Sequence, residues 1–436
     1  MKDKLSTQPY KGARDFYPED MLIQNYIFDT WKKVCKSFGY QEYSFPILEP
    51  FEIFAAKTGE EIVNNQLLSL VDAGNRKIAI RPELTPGTVR MIAQRYKALT
   101  KPLRWYMIGN NWRYEKPQKG RGREFYQLEV NIFGVGAVTA DFEIFSIIIF
   151  LMQTFGATSN MFRLKISDRR LISALLQDVL KLEENIQLQT RKFMDKKTKM
   201  PEKDFREGLR EIGLNEEQTE KVVGFMNSNL EGLPSIIPQN TLYENKGYVA
   251  ITEVFKLIEN AGLKPYCEFD PSIIRGFDYS DGMVYEVFDL SPDNRRSLFG
   301  GERFDKLIEI FADVELPSTG FALGDMTLLE FLVGWNLLPH FDSAFDYLVT
   351  LWPVENKEES DSYFSISQSY ANYLRSKGFK VLTWLEQNTK LEKQLKYADK
   401  MGVKNVVLIG PEEIATKSAI IKDLETGKQK QDTIKL

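Results

Sequence analysis

Between Arg104 and Gly134 the chain reads RWYMIGNNWRYEKPQKGRGREFYQLEVNIFG, a stretch that gathers groups able to hold anions. Guanidinium groups meet phosphates and carboxylates with two parallel donors, and lysines add mobile point charges. Apolar and aromatic residues dominate 105–114, and 124–133 alternates. The pattern predicts two strands joined by a basic, glycine-containing loop over 115–123, which carries Lys116, Lys119, Arg121 and Arg123. Fixed arginines beside a mobile cationic loop suit a polyphosphate, a nucleic acid or both. An ordinary solvated basic turn has the same composition, so the rest of the chain must decide.

Histidine is almost absent, with His340 the single example in 436 residues. That removes a His-based triad, a multi-His zinc site and a His general base, unless His340 acts alone. His340 falls in LLPHFD, a predicted domain junction. The two cysteines, Cys35 and Cys267, sit in apolar settings without metal-ligand spacing, as expected in a reducing cytosol. Chemistry must therefore rest on Arg, Glu, Gln and Tyr together with a cofactor or metal. The net charge of −4 argues against a generic nucleic-acid coat, so any RNA contact has to come from local patches. Hydrophobic content of 43% and charged content of 27% are those of a soluble globular chain. The opening MKDKLSTQPYKGARDF lacks the apolar core of a secretory signal, and the apolar stretch at 144–152 is too short to span a bilayer. The expected location is cytoplasmic, with no membrane partner.

Apolar residues at helical spacing cover 19–38, and Gly39 is a stop signal. Residues 40–49 predict a strand containing Pro46, which confines it to a sheet edge or an interface. A short strand at 77–80 leads into RPELTPGTVRMIAQRY, where Pro86 suits the start of a helix. An apolar helix over 140–155 and a strand over 162–167 follow. From 168 to about 260 the chain is charged and helical, with Asn215 as a helix cap. IIRGFDYSDGMVYEVFDL predicts a hairpin turning at Asp281-Gly282. A helix over 304–311, a strand over 318–323 and a helix from Asp325 complete this part. Beyond a linker, strands at 347–352, 380–385, 405–409 and 419–424 are interspersed with helices at 361–377 and 391–401. They predict a compact α/β domain of about ninety residues.

Several of these pieces carry a resemblance. In order, YKGARDFYPED, GYQEYSFPILEP, RPELTP, NWRYEKPQKGRGREFYQLEV, RGFDY, GGERFD and GFALGD resemble the histidyl-tRNA synthetase family of class II aminoacyl-tRNA synthetases. KYADKMGVKNVVLIG and IIKDLETGKQ are similar to that family's anticodon-binding domain. The likeness covers nearly the whole chain and is loose only in the charged helical part. It implies an α+β fold, a class II antiparallel sheet flanked by helices, with a helical insertion and a C-terminal α/β anticodon-binding domain. The corresponding boundaries are 1–167 and 263–336 for the two parts of the catalytic domain and 168–262 for the insertion. Residues 337–343 form the linker and 344–436 the anticodon-binding domain. The implied activity is histidine–tRNA ligase: L-histidine is activated with ATP to histidyl-adenylate and passed to the 3′ end of tRNA(His). The implied assembly is a homodimer, with the strand containing Pro46 at its interface.

The resemblance also implies roles. Arg113 bridges the amino-acid carboxylate and the α-phosphate, and Arg275 in RGFDY is a second catalytic guanidinium. Glu83, Leu84 and Thr85 of RPELT hold the amino-acid end, and Gln127, Asn131, Tyr279 and Ser280 complete that pocket with the two arginines. Glu115 reads the adenine amino group, Phe125 lies under its ring and Arg121 meets phosphate. Gln118, Lys119 and Arg123 face the acceptor end of the tRNA. ATP is a substrate, Mg2+ is bound through it, and no metal site made of protein ligands is expected.

Three positions depart from the family pattern. Ser280 stands where a second tyrosine is usual, and Asn131 where an acidic residue is usual; both would face the imidazole. Glu129, two residues before Asn131 on the same strand face, is the candidate substitute. Met326 and Thr327 replace a common Glu-Arg pair, leaving Arg303 as a nearby guanidinium for ATP. Two rival readings follow. One is a non-catalytic sensor of histidine or tRNA, of the type of the ATP phosphoribosyltransferase regulatory subunit. The other is a class II ligase of drifted amino-acid specificity. The sensor type usually lacks the C-terminal domain and the catalytic arginine, both of which this chain keeps.

Overall fold

The computed structural model describes residues 4–56, 62–197, 200–274, 282–292, 297–341 and 344–434. Its contacts divide the chain into two compact units, Met1–Leu338 and Pro339–Leu436. In the first unit the described strands are β1 (Gln41–Glu42), β2 (Leu48–Pro50), β3 (Ser69–Val71), β4 (Lys77–Ile80), β5 (Leu103–Trp112) and β6 (Glu124–Phe133). They continue as β7 (Phe162–Asp168), β8 (Cys267–Phe269), β9 (Met283–Asp289), β10 (Ser297–Arg303) and β11 (Ser318–Gly324). Eight of them form one sheet in the order β1-β5-β6-β11-β10-β9-β7-β8. Its inner pairs are antiparallel, while β1 and β8 join the two edges in parallel. The predicted basic hairpin is β5–β6, with Trp105 opposite Asn131 and Gly109 opposite Gln127.

Alternation along β6 sorts its side chains between two tasks. Leu128, Val130 and Ile132 point into the main core, where they join Trp31 and Val34 of the helix Pro18–Ser37. Ile144, Phe145, Ile148 and Leu151 of the helix Val138–Thr154 belong to the same core. Each such burial contributes about 1.5–3 kcal/mol, so the register of β6 is strongly held. Gln127, Glu129 and Asn131 are thereby turned to the opposite face. The first helix ends where Gly39 takes φ +80°, a conformation that costs glycine little.

Two expectations about local structure are corrected. The strand predicted at 40–49 is broken: β1 joins the large sheet, and β2 pairs with β4 in a separate sheet of order β2-β4-β3. Pro46, which has no N–H to donate, lies in the break. β9 pairs with β7 and β10, and the preceding arm of the hairpin predicted around Asp281-Gly282 falls at 275–281, outside the described residues. The helix predicted over 304–311 is only a 3₁₀ turn, Leu307–Ile310.

Between β7 and β8 the chain is helical, from Arg169–Ser173 to Lys246–Asn260. Asn215 caps the helix Glu216–Met226 by accepting from the Gln218 amide at 2.9 Å, and the Gln218 side chain accepts from the Asn215 amide at 2.9 Å. The second unit holds β12 (Tyr347–Val349), β13 (Val381–Thr383), β14 (Asn405–Leu408), β15 (Ser418–Asp423) and β16 (Gln429–Thr433), ordered β13-β12-β14-β15-β16. Val349, Tyr370, Val407 and Ile421 lie in its core. Among the described residues, no helix is long and apolar enough to cross a membrane.

Candidate active site

The polar face of β6 forms one wall of a cavity of about 310 Å³. Glu83, Leu84, Thr85, Arg113, Glu115, Arg121, Phe125, Gln127 and Asn131 all line it. Gln118, Lys119 and Arg123 do not line it. Arg275, Tyr279 and Ser280 lie outside the described residues.

The RPELT segment is fixed from beneath. Arg81 is buried, donating from Nε to the Asn110 carbonyl at 2.8 Å and from Nη1 to the Phe45 carbonyl at 2.9 Å. These bonds bind the segment to β5, so that Glu83 and Thr85 stand at the cavity wall. Arg113 is held in turn by Nε, which donates to the Pro82 carbonyl at 2.9 Å. Its guanidinium carbon lies 5.4 Å from the centre of the Phe125 ring. Glu115 sits between two cations: its Oε1 is 4.0 Å from Arg113 Nη1, and its Oε2 is 3.6 Å from Arg121 Nη1. Of the other loop cations, Lys119 and Arg123 are turned away from the cavity. Lys119 makes an exposed pair with Glu330 at 3.1 Å. Arg123 donates to the Tyr10 hydroxyl at 3.0 Å and lies 3.9 Å from the centre of the Tyr114 ring. Its amide donates to the Gly12 carbonyl at 2.8 Å, stitching the N-terminal segment to the hairpin.

Gln127 accepts from Asn111 Nδ2 at 2.8 Å, which fixes its carboxamide. Glu129 is 1% exposed and also lines the cavity. Its Oε1 accepts from Thr85 Oγ1 and from Asn131 Nδ2, each at 2.8 Å. Burial pushes its carboxyl up to about 7 with help from the Glu83 charge, against the lowering effect of Asn131, Thr85 and Tyr43. Beside it, β10 and β11 come close because of glycine. A Cβ on Gly320 would fall 1.8 Å from Asn131 Oδ1, and one on Gly301 would fall 2.2 Å from the Gly320 carbonyl oxygen.

Arg303, which is not among the expected site residues, is buried away from the cavity, with Nη2 2.6 Å from Asp141 and Nη1 3.1 Å from Asp305. Met326 and Thr327 do line the cavity, but Thr327 spends its hydroxyl on the Gly324 carbonyl at 3.2 Å. Glu286 on β9 and Glu302 on β10 line the cavity too, with Gly300 opposite Glu286. No motif marks them; only alternation along β9 and β10 hints that they share a face. Among the described residues no group of three metal-ligating side chains forms a site.

Comparison with known proteins decides the family. The family described as histidyl-tRNA synthetase matches residues 12–328, and the anticodon binding domain family matches residues 349–436. A histidine–tRNA ligase of Leptospira biflexa is 40% identical over 98% of this chain and 95% of its own. The chain belongs to the histidyl-tRNA synthetase family. The chloroplastic/mitochondrial histidine–tRNA ligase of Arabidopsis thaliana is 33% identical over 98% of this chain and 85% of its own. The crystal structure of a histidyl-tRNA synthetase from Nostoc sp. shares the fold, with TM-score 0.80 at 23% identity over 99% of this chain and 97% of that one. The crystal structure of an ATP phosphoribosyltransferase regulatory subunit/histidyl-tRNA synthetase from Bacillus halodurans shares the fold, with TM-score 0.73 at 22% identity over 91% of this chain and 97% of that one. Family membership makes this chain an aminoacyl-tRNA synthetase, an enzyme of the histidine–tRNA ligase type that uses ATP. The sensor reading is not favoured.

Proposed function

We propose that the cavity binds L-histidine and ATP side by side and joins the histidine carboxylate oxygen to the α-phosphate, releasing pyrophosphate. The histidyl group then passes to the 3′ end of tRNA(His). The observation that carries this reading is convergence: candidate groups for both substrates line a single cavity. Glu83, Leu84 and Thr85 form the amino-acid end, where a carboxylate faces the ammonium, and Gln127 is the next contact. Arg113, held by its Nε, presents its remaining donors where carboxylate and α-phosphate meet, and charge builds there in the transition state. Phe125 offers a face to adenine and Glu115 an acceptor for its amino group. Arg121 meets phosphate once ATP separates it from Glu115. Arg275, Tyr279 and Ser280 keep the roles that the resemblance implies, a catalytic guanidinium and two side-chain contacts. Gln118, Lys119 and Arg123 belong to the tRNA side of the loop.

Mg2+ bound through the ATP phosphates would compensate their charge. Glu286 and Glu302 fit it, since Mg2+ takes one or two carboxylates together with phosphate oxygens. We place the working enzyme in the cytoplasm as a homodimer. The small sheet beside Pro46 leaves Leu48 and Leu70 exposed on the face they share with Ile78 and Ile80, an apolar surface suited to a second copy. The proposed division keeps catalytic parts at 1–167 and 263–336, a helical insertion at 168–262, a linker at 337–343 and an anticodon reader at 344–436.

ATP–pyrophosphate exchange, measured with each amino acid in turn, tests the reading. Exchange is expected with histidine alone. Exchange with a different amino acid instead would establish drifted specificity, and none with any amino acid would establish a sensor.

A further inference from the structure

We propose that Glu129 is the residue that recognises the imidazole of histidine, and that Asn131 is a positioning residue that holds it. This deepens the reading above and rests on it. The family pattern puts an acid at 131, and here that position carries a neutral amide.

The two oxygens of Glu129 are not equivalent. Oε1 is fully engaged by Thr85 and Asn131. Oε2 is buried without a well-formed hydrogen bond among the described residues, although the Tyr43 hydroxyl, engaged with Thr88, is near enough to act on the carboxyl. A buried acceptor without a donor is costly, and a side chain that merely tied β6 to the RPELT segment would need Oε1 alone. The open oxygen belongs to a residue lining the cavity, and an imidazole N–H is a donor of the right kind.

Asn131 cannot take the same part. One Nδ2 hydrogen goes to Glu129, and its single acceptor, Oδ1, lies against Gly320, where a Cβ would fall 1.8 Å away. The carboxamide therefore lies flat across β11 and fixes the direction of the neighbouring carboxyl. Of the other carboxylates lining the cavity, Glu83 stands beside Thr85, at the end proposed for the ammonium, and Glu286 and Glu302 lie on β9 and β10, separated from β6 by β11.

The charged and titratable groups acting on Glu129 are Tyr43, Arg81 and Glu83. Tyr43 shares a hydrogen bond with Thr88 at 2.5 Å, and Arg81 donates to two carbonyls. Both imidazole and imidazolium carry a donating N–H, so the ionisation of Glu129 itself sets the acid limb of histidine binding. With its carboxyl near 7, affinity declines as pH falls below that value.

The test is the full-length Glu129→Gln variant, which keeps an oxygen for Thr85 and Asn131 but places an NH2 where Oε2 stands. The histidine KM in pyrophosphate exchange, and the histidine Kd measured without ATP, are expected to rise at least tenfold at pH 8, with the KM for ATP within about twofold. The wild-type rise in histidine KM on the acid side of pH 7 should disappear in the variant. Histidine KM and Kd within twofold of wild type would overturn the proposal. Failure of the wild type to exchange with histidine would instead defeat the ligase reading, so the two failures are distinct.

Discussion

Arg14 and Asp325 lie 311 residues apart and meet at 2.6 Å. Asp325 opens the helix Asp325–Gly334 and is buried. Its second oxygen accepts from the Tyr126 amide at 3.0 Å, beside Phe125 in the cavity wall. One carboxylate thus joins the N-terminal segment, the start of β6 and the helix after β11. This explains why an acid can stand in GFALGD without touching substrate.

Removing Arg14 leaves that buried carboxylate with Gln24 at 3.3 Å and the Tyr126 amide. Breaking a well-buried pair costs about 3–5 kcal/mol, but Arg14 is one quarter exposed, so water recovers part of the loss. Arg14→Ala is expected to unfold about 2 kcal/mol more easily in urea. An unchanged urea midpoint would show that the tie carries no weight.

Arg303 and Asp141 are a second buried pair, with side chains 6% and 1% exposed. Arg303→Met strands the Asp141 charge and is expected to cost about 3–5 kcal/mol of stability. Adding Asp141→Leu should recover most of it, because the pair is then replaced by apolar groups of similar reach. The ATP KM of the folded double variant is expected to match wild type. A rise of tenfold or more would return Arg303 to the nucleotide.

What was legible in the sequence followed from local signals. The basic hairpin announced itself by alternation and charge, and the helix over 140–155 by continuous apolar residues. Motif likeness then gave Glu83, Arg113 and Gln127 candidate duties. Facts that depend on tertiary neighbours were hidden. Nothing in GGERFD says that Arg303 turns toward Asp141, since that partner lies 162 residues away. Pro46 warned of an edge, but its break sends β1 and β2 into different sheets, and only pairing decides that. Glu286 and Glu302 reach the cavity through the order of β9 and β10, which no single segment encodes. Glu129 was visible as an acid on the right face. The difference between its two oxygens became apparent only when Thr85 and Asn131 were in place.

That difference also has a stability signature. Glu129 has its folded value raised to about 7 from an ordinary 4.5, so the folded chain holds the proton more tightly than the unfolded one. Its contribution is most favourable below about pH 4.5 and is lost as pH rises through 7. Glu129→Gln cannot ionise and escapes that loss. The variant is expected to match wild type at pH 5 and to exceed it at pH 8 by on the order of 2 kcal/mol in urea unfolding. A site that gains stability when its acid is neutralised, while losing histidine affinity, holds a charge kept for binding rather than folding. Parity at both pH values would mean that Glu129 is ionised at little cost, and the strain assigned to its open oxygen would be absent.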